Sequence, residues 1–104
     1  MRIAVLSGGR SSEHEISLLS GQAVADGLEA AGHDVSRIQI EKSGTWISDG
    51  LPVAIRPGEG LEVSGDLLSI DVVFPVLHGP FGEDGVTQGA LDTAGLPYAG
   101  SDVL

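Results

Sequence analysis

The chain has 104 residues, enough for one domain and too few for two. Fifteen acids against five bases give a formal charge of −10, which argues against a nucleic-acid binder, because such proteins carry a basic face. The absence of cysteine excludes a disulfide scaffold, a thiolate nucleophile and a cysteine-ligated zinc or iron–sulfur site.

Leu, Ile, Val and Phe supply 31 residues, enough for a packed core. No apolar run approaches the ~18 residues of a membrane span. The apolar start at Met1 to Leu6 runs straight into Ser7-Gly8-Gly9, too short for a secretory signal. These features predict a soluble, acidic, cytoplasmic single domain with no membrane or nucleic-acid partner. Glycine is the outlier, with 16 residues gathered largely in clusters.

Residues 2–6 read as a short buried parallel strand. From Ile16 the period becomes helical. Ile16, Leu19, Ala23, Gly27 and Ala31 form one stripe, widened by Ser20, Val24 and Leu28. Ser12 and Glu15 have the spacing of a capping box, and Gly32 is placed to stop the helix. Residues 34–40 alternate as a second strand, which completes a βαβ unit. Residues 42–45 read as a turn, and 46–47 and 51–55 as short strands joined by an Asp49-Gly50 hairpin. Residues 56–60 read as a surface loop. Residues 70–77 form the strongest strand, with Pro75 near its end. A helix over 86–94 is stopped by Gly95, and 96–100 make a last short strand. Together the elements predict an α/β fold: an open, mainly parallel, Rossmann-like sheet with helices on both faces.

Both glycine clusters follow a strand and precede a helix, the edge of an open α/β sheet where ligands bind. The first, Ser7-Gly8-Gly9-Arg10-Ser11-Ser12-Glu13-His14-Glu15, has neither the spacing of G-x-G-x-x-G nor the G-K-[ST] of a P-loop. Glu15 suits helix capping and the helix dipole. Glu13 lies at the loop–helix junction, where a carboxylate serves either as a ligand for a substrate ammonium or as a solvated first-turn acid. His14, between two acids, reads as a surface residue. His78 ends the most apolar strand and is either a loop anchor or a functional side chain. In Gly82-Glu83-Asp84-Gly85, Asp84 suits an N-cap, and Glu83-Asp84 as magnesium ligands is the alternative. Trp46 and Tyr98 read as core or rim residues. The residues alone describe an acidic ligand-binding domain with Glu13 and His78 as candidates.

Two segments taken together resemble one family. Residues 3–17, with Gly8-Gly9, Ser11-Ser12 and Glu13-His14-Glu15-Ile16-Ser17, resemble the N-terminal segment of D-alanine–D-alanine ligases of the ATP-grasp class. His78-Gly79, then Gly82-Glu83-Asp84-Gly85 and Gln88-Gly89, resemble the family's second signature. Residues 95–101 also fit, with Ala99 where threonine is common. The resemblance spans residues 1–104, although about 42–68 carry no signature.

That resemblance implies three-domain enzymes joining two D-alanines for peptidoglycan precursors. ATP phosphorylates the first D-alanine's carboxylate, and the amine of the second attacks the acylphosphate. Glu13 matches the glutamate that holds the first D-alanine's ammonium, and His78 the histidine near its carboxyl end. Both are expected as catalytic and substrate-binding residues. Ser17 is expected in the substrate site in a supporting role. Glu15, Glu83, Asp84, Gly8, Gly9, Gly79, Gly82 and Gly85 are expected to cap and shape the loops. ATP and Mg2+ belong to the central and C-terminal domains, which these residues lack, so no metal site is expected here and the isolated fragment is expected to be inactive. A homodimer is implied as well. The alternatives are a stand-alone α/β small-molecule-binding module and the N-terminal part of a D-alanine–D-lactate ligase.

Overall fold

A computed structural model describes residues 1–9, 14–77 and 86–99. Strand β1 (Arg2–Gly8) is buried along almost its whole length. Helix α1 (His14–Ala30) carries the chain to β2 (Asp34–Ile40), which lies parallel to β1. The chain then folds back repeatedly through β3 (Trp46–Ser48), β4 (Leu51–Arg56), β5 (Gly60–Val63) and β6 (Asp66–Leu67). It returns to the other side of β1 as the parallel strand β7 (Val72–Leu77), followed by α2 (Val86–Ala94). The sheet order is β6-β5-β4-β3-β2-β1-β7.

The α/β class and the helices on both faces are as expected, but the parallel part is confined to β2-β1-β7. The pairings from β2 through β6 are antiparallel. Connection length explains this correction, because a parallel pair needs a crossover of a dozen or more residues. The links here are tight turns. Asp49 (φ 51°) and Gly50 (φ 79°) close β3–β4, and Ser64 (φ 53°) and Gly65 (φ 84°) close β5–β6. Two consecutive positive φ angles are those of a type I′ hairpin turn, whose twist matches that of the strands it joins. Strands β5 and β6 arise where a loop and an unassigned stretch were expected, and β5 contributes Leu61, wholly buried in the core.

Alternating side chains on β1 build two cores. Ala4 and Leu6 pack with Ile38, Ile40, Leu61 and Val73, covered by Leu91 and Ala94 of α2. Ile3 and Val5 pack against Ala25 of α1, with Val24, Leu28 and Val76 beside them. Trp46 and Tyr98 flank the first core as half-buried rim residues.

Helix α1 does not bury the stripe expected of it. Ile16 is 55% exposed and Leu19 68%, while Ser17, Gly21 and Ala25 are the buried residues. The helix lies so close to β1 that only small side chains fit beneath it. A Cβ built on Gly21 would stand 2.4 Å from the Ser7 Cβ. Both helices end as expected at glycines with positive φ, Gly32 (96°) and Gly95 (77°). Each closes with the paired bonds of a Schellman motif: Gly32 N–H to Glu29 and His33 N–H to Leu28, then Gly95 N–H to Asp92 and Leu96 N–H to Leu91.

Pro75 sits inside β7 without breaking it. Val73 donates to Pro97 and accepts from Ala99 on the side away from β1. Two residues on, the imide nitrogen of Pro75 faces that same outer side, so the β1–β7 ladder loses no donor.

Candidate functional site

The carboxyl ends of the three parallel strands form the edge at which open α/β sheets generally bind ligands. β1 and β7 are neighbours, and the register pairs Gly8 with Leu77 at their carboxyl ends. From these two points the chain enters residues 10–13 and 78–85, which lead into α1 and α2. Glu13, His78, Gly79, Gly82, Glu83, Asp84 and Gly85 all lie outside the described residues. Of the expected site residues, Gly8, Gly9, Glu15 and Ser17 are described.

Gly8 and Gly9 take φ angles of 95° and 108°, a region that favours glycine. At Gly8 space adds a second requirement, because a Cβ there would fall 2.3 Å from the Ile40 carbonyl oxygen. Gly9 uses that closeness: its N–H donates to Ile40 O at 2.8 Å, tying the end of β1 to the end of β2. The other side of Gly9 is held by His14, whose Nδ1 lies 2.7 Å from the Gly9 carbonyl. A carbonyl only accepts, so Nδ1 carries the proton and donates. His14 is half-buried, so it lies at the surface as expected but is also engaged with the backbone.

Glu15 lies exposed in the first turn of α1, where a carboxylate interacts favourably with the helix dipole. Its expected capping partner Ser12 falls outside the described residues. Ser17 is wholly buried. Its hydroxyl accepts the Gly8 N–H at 2.8 Å and donates to the Val76 carbonyl. The side chain thus joins α1 to the ends of both β1 and β7. The bond from Gly9 to Ile40, the His14 tether and the close approach at Gly21 were not anticipated. The only sequence signal for the last was a glycine inside a helix, where it costs about 1 kcal/mol relative to alanine and so points to packing.

The described arginines are engaged elsewhere. Arg2 pairs with Asp71 at the opposite end of the sheet, Arg37 with Asp26 and Glu29, and Arg56 with Glu62. The guanidinium and backbone N–H of Arg2 both bond the Asp71 carboxylate and hold it below the usual aspartate range. A cavity of about 290 Å³ opens between α1 and β2, with Leu19, Gln22 and Arg37 among its walls; Gly8, Gly9 and Ser17 are not part of it. Among the described residues, no three acidic or histidine side chains gather as a metal site, and no helix is long and apolar enough to cross a membrane.

A family model for the D-Ala–D-Ala ligase N-terminus matches residues 2–101, and the chain belongs to that family. It is 43% identical to a D-alanine–D-alanine ligase of Solibacter usitatus, over all of this chain and 29% of that protein. It is 42% identical to one from Natranaerobius thermophilus, over all of this chain and 34% of that protein. Among solved structures, D-alanyl-alanine synthetase A of Vibrio cholerae superposes with a TM-score of 0.82 at 37% identity, covering 95% of this chain and 30% of that one. The VanG D-Ala:D-Ser ligase of Enterococcus faecalis gives 0.80 at 34% identity, covering 93% and 34%. The chain therefore spans about a third of the length of the proteins it matches.

Proposed function

We propose that this domain forms part of the first D-alanine site of an ATP-dependent ligase that joins two D-alanines. The observation that carries the reading is the pairing of Gly8 with Leu77. It starts the segments bearing Glu13 and His78 from neighbouring strands at the ligand edge of the sheet. The Glu13 carboxylate binds the ammonium of the first D-alanine, and His78 orients and stabilises the charge of its carboxyl end. ATP transfers its terminal phosphoryl group to that carboxylate and leaves as ADP; the neutral amine of the second D-alanine then attacks the acyl carbon, losing a proton as inorganic phosphate leaves. Mg2+ neutralises phosphate charge in this chemistry. ATP and Mg2+, in this reading, are held by the rest of the enzyme.

In this reading the dipeptide enters peptidoglycan precursors, and the enzyme works in the cytoplasm as a homodimer. The domain does not choose the second substrate. The similarity to a protein titled a D-Ala:D-Ser ligase supports that point. One test is direct: residues 1–104, purified and given ATP and D-alanine, should form no dipeptide. Dipeptide formation by this segment alone would refute the division of labour.

A further inference from the structure

The Ser17 hydroxyl occupies a particular place in the sheet. Parallel strands expose alternate residues to each neighbour, and Arg2 faces β7 because its carbonyl accepts from Asp71, whereas Gly9 faces β2 through Ile40. Gly8 therefore points its N–H toward β7. With Ser7 opposite Val76 and Gly8 opposite Leu77, its ladder partner is the Val76 carbonyl. These are the two groups that Ser17 engages, one with its lone pair and one with its proton. The side chain reaches them because Gly21, one turn on, lets α1 settle against Ser7. A hydroxyl from the helix thus braces the end of the ladder between the two strands from which the chain continues to Glu13 and His78.

We propose that Ser17 is a positioning residue for the first amino-acid site: its hydroxyl ties together the β1 and β7 ends from which the chain continues into the segments bearing Glu13 and His78. The inference rests on the reading of Glu13 and His78 as ligands of D-alanine. It differs from a direct substrate contact, since Ser17 is wholly buried with both functions of its hydroxyl engaged.

The test uses the complete ligase with Ser17→Ala, Ser17→Thr, Glu13→Gln and the Ser17→Ala/Glu13→Gln double variant. Ser17→Ala should raise the KM for the first D-alanine about tenfold, the scale of a misplaced binding group, and leave the KM for ATP unchanged. Ser17→Thr, which keeps the hydroxyl, should restore most of the loss. In the Glu13→Gln background the Ser17→Ala effect should shrink, because the two residues act through one another. If Ser17→Ala does not fold, Ser17→Cys replaces it, keeping the volume while weakening both hydrogen bonds. A folded Ser17→Ala or Ser17→Cys with unchanged KM for D-alanine, or one whose effect adds fully to that of Glu13→Gln, overturns the proposal. If Glu13→Gln itself leaves D-alanine binding intact, the underlying site assignment fails instead, which separates the two failures.

Discussion

Gly21 of α1 lies against Ser7 of β1 with no room for a further carbon between them: an added Cβ would stand 2.4 Å from the Ser7 Cβ and 2.8 Å from its Oγ. In an open helix, alanine would be favoured over glycine by about 1 kcal/mol. Here the new methyl meets a carbon fixed to a buried strand, and overpacking of that kind costs typically 1–3 kcal/mol. We expect Gly21→Ala to lower the urea midpoint of unfolding. A midpoint equal to or above wild type would show that α1 does not sit this close to β1.

Gly8 and Gly32 share nearly the same φ, 95° and 96°, but not the same surroundings. A Cβ on Gly32 meets nothing within 4 Å, whereas one on Gly8 strikes the Ile40 carbonyl at 2.3 Å. Gly32→Ala should therefore cost about the 1–2 kcal/mol of a left-handed residue alone. Gly8→Ala should cost clearly more, because the β1–β2 rung next to it must open. Chemical denaturation of both variants gives the comparison, and equal losses would contradict the close approach at Ile40.

Asp71 offers a pH test. The Arg2 side chain, at 3.1 Å, and the Arg2 backbone N–H, at 2.8 Å, both favour its ionised form and lower its pKa. A depressed carboxyl contributes stability that is complete above the usual aspartate value of about 3.9 and is lost as pH falls through the lowered folded value. The difference in stability between wild type and Asp71→Asn should thus be constant near neutrality and shrink in acid. Both partners are partly exposed, so the difference is small and falls with added salt. A gap that widens on acidification would contradict the pairing.

Local signals recovered much of the fold. Glycine stops at Gly32 and Gly95, the Asp49-Gly50 turn and the strand around Val72 to Val76 were legible because each depends on nearby residues. Long-range contacts were not. The buried face of α1 is chosen by how closely the helix meets β1, which selects Ser17 and Gly21 over the more apolar Ile16 and Leu19. Strand β5 went unrecognised because the alternation of Leu61-Glu62-Val63 is too short to stand out beside a glycine-rich turn, yet the strand buries Leu61 completely. The same holds at the site. Gly8 and Gly9 could be read from glycine clustering, but the Ile40 carbonyl that makes Gly8 necessary lies 32 positions along the chain. Ser17 could be singled out by family resemblance, whereas its two partners come from different strands.

The central claim is that Glu13 holds the ammonium of the first D-alanine, and steady-state kinetics of Glu13→Gln in the complete ligase tests it most directly. Removing one charge-assisted hydrogen bond should raise the KM for the first D-alanine about tenfold to a hundredfold, with the KM for ATP little changed. An unchanged KM for D-alanine together with unchanged turnover would contradict the account.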